Sequence, residues 1–176
     1  MNPQPVSLRE PEIGALVAGT MTVLVRPIGR LAGMQPGDRL WVREPFHLPR
    51  AFAAEKPTRA AARGAVPIFV ADHSAAWLAS RVAGMGRRCY AREMPRLWHR
   101  QHLVVGSIER IRLHDVAESD LRGAGWKTRA AFRARWDHDA RFGGALTDQT
   151  AWRANPLVLR IEFERIAAPL PTEVRQ

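Results

Sequence analysis

The chain has 176 residues and a 46% hydrophobic fraction, enough for a packed core and too apolar for a disordered polymer. No run of eighteen apolar residues occurs, and the lone cysteine, Cys89, excludes an intramolecular disulfide or a cysteine-built zinc site. The formal net charge is +10, carried by 25 arginines and only two lysines against 17 acids.

Such an excess points to a polyanion surface, because guanidinium forks match phosphates and stack on bases. A GC-rich coding bias would explain arginine in place of lysine, with abundant alanine, glycine and proline, but it does not account for the uncompensated charge. The N-terminus carries proline and glutamine where a secretory leader would place a basic segment and an apolar run. The expectation is a cytoplasmic protein with no membrane partner.

In chain order, residues 1–6 are proline-rich, and 6–8 fit a short strand. Glu10-Pro11-Glu12 opens a helix, with Ile13, Leu16 and Val17 on one stripe and Gly19 ending it. Residues 20–25 are β-branched and apolar, a strand closed by Arg26-Pro27. Gly37-Asp38-Arg39-Leu40-Trp41-Val42-Arg43-Glu44 is a strand launched from a turn: Leu40 and Val42 take one face, Arg39, Trp41 and Arg43 the other. Residues 45–65 show no clear period and read as an excursion, a loop or a weak helix. Residues 66–71 form a strand that Pro67 confines to a start or an edge.

Ser74 caps a short helix over 74–82. Gly84-Met85-Gly86 breaks it, and Arg87-Arg88 begins a basic, irregular segment running to Arg100. The longest strand signal covers 103–113. A helical turn over 118–121 ends at Gly123 and Gly125, and Thr128 caps a helix over 129–138 with Phe132 and Trp136 on one face. Gly143-Gly144 opens a loop. Residues 157–166 form the last strand, with Leu159, Ile161 and Phe163 against Arg160, Glu162 and Glu164. Residues 167–176 read as a flexible tail.

The expected fold is α+β: five or six mostly antiparallel strands around a small barrel, with three or four short helices, in a single domain over 6–166. No Walker loop or nucleophile-elbow motif occurs. His99-x-x-His102 and Asp137-His138-Asp139 lack helical metal-ligand spacing. No catalytic residue, metal or cofactor is assigned.

Several segments in order resemble the ASCH domain of the PUA-like superfamily, in particular its phage and prophage branch. They are residues 19–26, Gly37 to Glu44, Phe69-Val70-Ala71-Asp72, Met94-Pro95-Arg96-Leu97-Trp98-His99-Arg100, Phe132-Arg133-Ala134-Arg135-Trp136-Asp137, and Asn155-Pro156 before Ile161-Glu162-Phe163. The resemblance implies a small PUA-like β-barrel with a cleft beside the first helix, and RNA binding. It also implies enzymes among the relatives, an amidohydrolase acting on acylated cytidine and a ribonuclease. The amidohydrolase lysine, threonine and glutamate positions fall on Met21, Leu24 and Ala124, which carry no proton-transfer group. The expectation is therefore a binding protein for RNA or a nucleotide-like ligand without that chemistry. Its ligand residues are Arg26, Trp41, Arg43, Glu44, Arg96, Trp98 and Arg100, with arginines taking phosphate and a tryptophan stacking on a base. The alternatives are a ribonuclease using His99 or His102 with Glu44, or a degenerate domain retained for protein contacts.

Overall fold

A computed structural model describes residues 3–80, 84–142 and 149–166, with side chains described for all of these except 140–142. The expected tail at 167–176, the Gly143-Gly144 loop and the end of the helix at 81–82 lie outside the described residues. The fold is α+β. Strands β1 (Gln4–Ser7), β3 (Arg39–Arg43), β7 (His102–Arg112), β8 (Leu157–Ile166) and β2 (Val23–Pro27) form a five-stranded sheet in that order. Strands β5 (Ile68–Phe69), β4 (Phe46–Pro49) and β6 (Met85–Cys89) form a second sheet of three. Five α-helices accompany them among the described residues: α1 (Glu12–Val17), α2 (Pro57–Ala62), α3 (Ala75–Ala79), α4 (Glu118–Gly123) and α5 (Arg129–Phe142). Among the described residues the strands pair as two open sheets and do not close into a barrel. No helix among them is long and apolar enough to cross a membrane.

The contacts divide the chain into two compact units: residues 1–13, 39–103 and 165–176 in the first, 14–38 and 104–164 in the second. In the first unit β1 runs parallel to β3, with Gln4 opposite Leu40 and Ser7 opposite Arg43. Gly37, at a φ of 87° that favours glycine, turns the chain into β3. The small sheet has β4 at its centre, flanked by antiparallel β5 and β6. Phe46 and Leu48 of β4 are fully buried and pack with Ala60, Ala61, Cys89, Met94 and Trp98.

Two segments depart from expectation here. Residues 46–49 lie in the supposed excursion yet alternate buried and half-buried as a strand should. Four residues ending in proline are too short a run to show a period. Residues 85–89, read as irregular, form the edge strand β6, whose exposed Arg87 and Arg88 hide any alternation. Gly86 admits that strand: a Cβ there would stand 2.8 Å from the Leu48 carbonyl oxygen and 3.0 Å from that of Pro49.

In the second unit β2 pairs antiparallel with β8, Val23 opposite Glu162 and Pro27 opposite Val158. Helix α5 starts where the Thr128 hydroxyl accepts the Ala131 N–H (3.1 Å). Its Phe132 and Trp136 are buried with Trp126, Trp152, Leu121 and Val158. The indole N–H of Trp136 donates to the Thr150 carbonyl (2.9 Å), so this burial leaves that polar group satisfied. Arg160 gathers Asp120 and Glu162 at 2.9 and 2.8 Å. Its guanidinium is raised in pKa chiefly by the Asp120 hydrogen bond, and the Glu162 carboxyl is lowered by Arg160 and then Ser107.

Candidate functional site

Six of the seven expected ligand residues lie in the first unit, and they sort into three kinds. Trp98 is core. It is 9% exposed, packs edge-on against Phe46 at 5.3 Å between ring centroids, and donates its indole N–H to the Ala65 carbonyl (3.0 Å). Its faces are spent on neighbouring side chains.

Glu44 and Arg100 form a structural ion pair. Glu44 is fully buried at the end of β3, and both carboxylate oxygens accept from Arg100, from Nε at 2.7 Å and from Nη2 at 2.8 Å. The outer edge of the same guanidinium donates to Asp72 at 2.7 and 2.8 Å, and its carbon stands 3.9 Å from the Phe69 ring centroid. Burial alone would lower the Arg100 pKa; hydrogen bonds to Glu44 and Asp72 outweigh it and raise it. A guanidinium shared by two carboxylates presents little positive potential to a phosphate. The same arrangement occupies Glu44, which therefore has no oxygen free to move a proton for His99 or His102.

The third kind is a chain of aromatic rings and cations. Trp41, on the β3 face expected to hold Arg39 and Arg43, is only 7% exposed. The Arg43 guanidinium lies over its ring at 4.9 Å and His99 meets it edge-on at 5.8 Å. Arg43 Nη1 reaches on to donate to the Arg92 carbonyl (3.2 Å). Arg92 in turn stands over Tyr90 at 5.4 Å. In the other direction His99 packs edge-on against His102 at 4.5 Å, and its Nδ1 donates to the Arg96 carbonyl.

His102 opens β7 and is buried. Its pKa is pushed down to about 4, first by burial and then by His99, Arg39 and Arg96. Two of the neighbours that lower it, Arg39 and Arg96, are guanidinium groups. Arg39, Arg92 and Arg96 are exposed, and none makes an ion pair among the described residues. This is a place where positive charge accumulates beside rings instead of being cancelled.

Arg26, the seventh expected residue, belongs to the second unit. It sits on β2 opposite Leu159, half-buried, with Nη1 donating to the Val25 carbonyl (2.9 Å). In the same unit Met21, Leu24 and Ala124 are buried at 4%, 0% and 1% exposure. The same unit holds a cleft of about 390 Å³ lined by Arg129, Arg133, Asp137 and Trp152, two alanines completing it.

Sequence reasoning named Trp41, Arg43 and Arg96 as ligand residues, set Arg39 on the same strand face and offered His99 and His102 only as ribonuclease groups, and it left out Tyr90 and Arg92. The signal for Tyr90 was present: it is the single tyrosine of the chain, set between arginines at 87, 88 and 92. No group of three or more His, Cys, Asp or Glu among the described residues could hold a metal ion. No family model matches this chain, and no curated protein matches it.

Proposed function

We propose that the protein binds RNA through the cationic and aromatic chain Arg39–Trp41–Arg43–Arg96–His99–His102, as an ASCH-type protein of the phage or prophage kind that lacks amidohydrolase chemistry. The observation carrying this reading is that Arg39 and Arg96, both exposed and without an ion pair among the described residues, act together on His102, whose pKa burial and then these neighbours push down. Phosphate is the ligand that such a cluster stabilises. Kinship with the PUA-like fold, in a form whose sheets stay open among the described residues, is part of the same proposal. Its support is the order of elements: short α1 before β2, then β3, and the long strands β7 and β8. The loss of hydrolytic chemistry is supported by the burial of Met21, Leu24 and Ala124.

On this reading Arg100, Glu44 and Trp98 fix the segment that carries Arg96 and His99, and do not themselves touch the ligand. The test is salt-dependent binding of a labelled single-stranded RNA, followed by fluorescence anisotropy. Each phosphate neutralised on a single strand contributes a slope of about −0.7 in log affinity against log salt. The Arg39→Ala/Arg96→Ala double variant is expected to bind more weakly and to flatten the slope by about 1.4. Absence of RNA binding by the unaltered protein at low salt overturns the proposal.

A further inference from the structure

We infer that Tyr90, backed by Arg92, is a base-stacking platform that makes the site select unpaired RNA over duplex; this rests on the RNA-binding reading above. Tyr90 is 69% exposed, although it sits between two buried neighbours, Cys89 at 1% and Ala91 at 5%. Those neighbours anchor the backbone on either side and leave the phenol ring directed outward. The Tyr90 N–H donates to Glu93 Oε2 at 2.7 Å, and Glu93 is held in turn by Arg87 at 3.2 Å. The platform is thus a ring on a pinned backbone, at the start of a turn of 3₁₀ helix over Ala91–Glu93.

Arg92 lies over the Tyr90 ring with its centre 5.4 Å away and has no ion pair among the described residues. Its carbonyl accepts from Arg43, which joins the platform to the Trp41–His99 end of the chain. A cation beside an open ring fits a nucleotide: the ring takes a base face and the guanidinium takes the adjacent phosphate. Base faces are accessible on an unpaired strand and occupied by their neighbours within a duplex. Charge on Arg39 and Arg96 recognises either form, so discrimination falls to the ring.

The experiment compares a short single-stranded RNA with the same RNA annealed to its complement, binding each to the full chain and to variants by anisotropy. The unaltered protein is expected to prefer the single strand by roughly tenfold, the size of one aromatic stack. Tyr90→Ala should lose about that factor on the single strand and nothing on the duplex, while Tyr90→Phe retains it. Arg39→Ala/Arg96→Ala should weaken both forms alike. If Tyr90→Ala binds the single strand unchanged, or weakens both forms equally, the platform is refuted while RNA binding stands. If the unaltered protein binds neither form, both conclusions fall.

Discussion

Arg100→Leu is the substitution that most sharply separates a ligand contact from a structural ion pair. It leaves the Glu44 carboxylate at 0% exposure with both oxygens stripped of their partners. Removing one member of a buried pair costs about 3–5 kcal/mol, because the remaining charge stays desolvated. The outer half of the network is worth far less: the Asp72 side chain is 39% exposed, so Asp72→Asn should cost no more than about 1 kcal/mol. Urea unfolding followed by tryptophan fluorescence measures both. With a slope near 2 kcal/mol per molar urea, Arg100→Leu should lower the midpoint by roughly 2 M and Asp72→Asn by less than about 0.5 M. Glu44→Leu/Arg100→Leu, which removes both charges, should recover most of the loss. If Arg100→Leu costs less than about 1 kcal/mol, or the double variant is no more stable than the single, the structural assignment is wrong.

Acid should destabilise the protein through His102. Its folded pKa of about 4 lies below the unfolded value near 6.5, so the unfolded chain binds the extra proton between those limits. Stability is expected to fall by about 3 kcal/mol as pH drops through that window, with a much shallower slope in His102→Gln; equal slopes from urea midpoints at pH 7 and pH 4.5 would contradict it. Gly86→Ala places a methyl group 2.8 Å from a β4 carbonyl oxygen, and must push β6 away. A cost of about 1–3 kcal/mol is expected in thermal or urea unfolding, and an unchanged midpoint would show that β6 has room to move.

The elements legible in the sequence were those whose period survives for a turn or more of pattern. Residues 102–112 and 157–166 are long enough for apolar spacing to declare a strand, and Thr128 before Phe132 and Trp136 declares a helix start. Of the second sheet, β5 fell inside the strand expected over 66–71, though only two residues pair, while β4 and β6 were hidden as runs of four and five residues. Such strands gain their identity from partners distant in sequence, as when His47 faces Arg88 across β4 and β6. At the site, strand alternation set Trp41 and Arg43 on one face, and the Arg43 guanidinium does lie over the Trp41 ring. It could not show that His99 and a guanidinium would cover the indole. Nor could it tell Arg100, which is committed to two carboxylates, from Arg96, which is not.

That distinction also decides how the net charge of +10 should be interpreted. Arginines without an ion pair among the described residues occur elsewhere, Arg30, Arg50 and Arg122 among them, so uncompensated charge alone does not mark a site. A guanidinium over a ring is not diagnostic either. Arg63 stands over Phe52 at 5.5 Å and Arg100 over Phe69 at 3.9 Å, but Glu55 claims the first, and Glu44 with Asp72 claims the second. Arg92 over Tyr90 differs in both respects: no carboxylate pairs with the cation among the described residues, and the ring is open to solvent. Compositional drift toward arginine would scatter cations without regard to aromatic neighbours or to the carboxylates that neutralise them. The coincidence of a cation without an ion pair among the described residues, an exposed ring and a backbone link to Arg43 is the local pattern on which the proposed nucleotide contact rests.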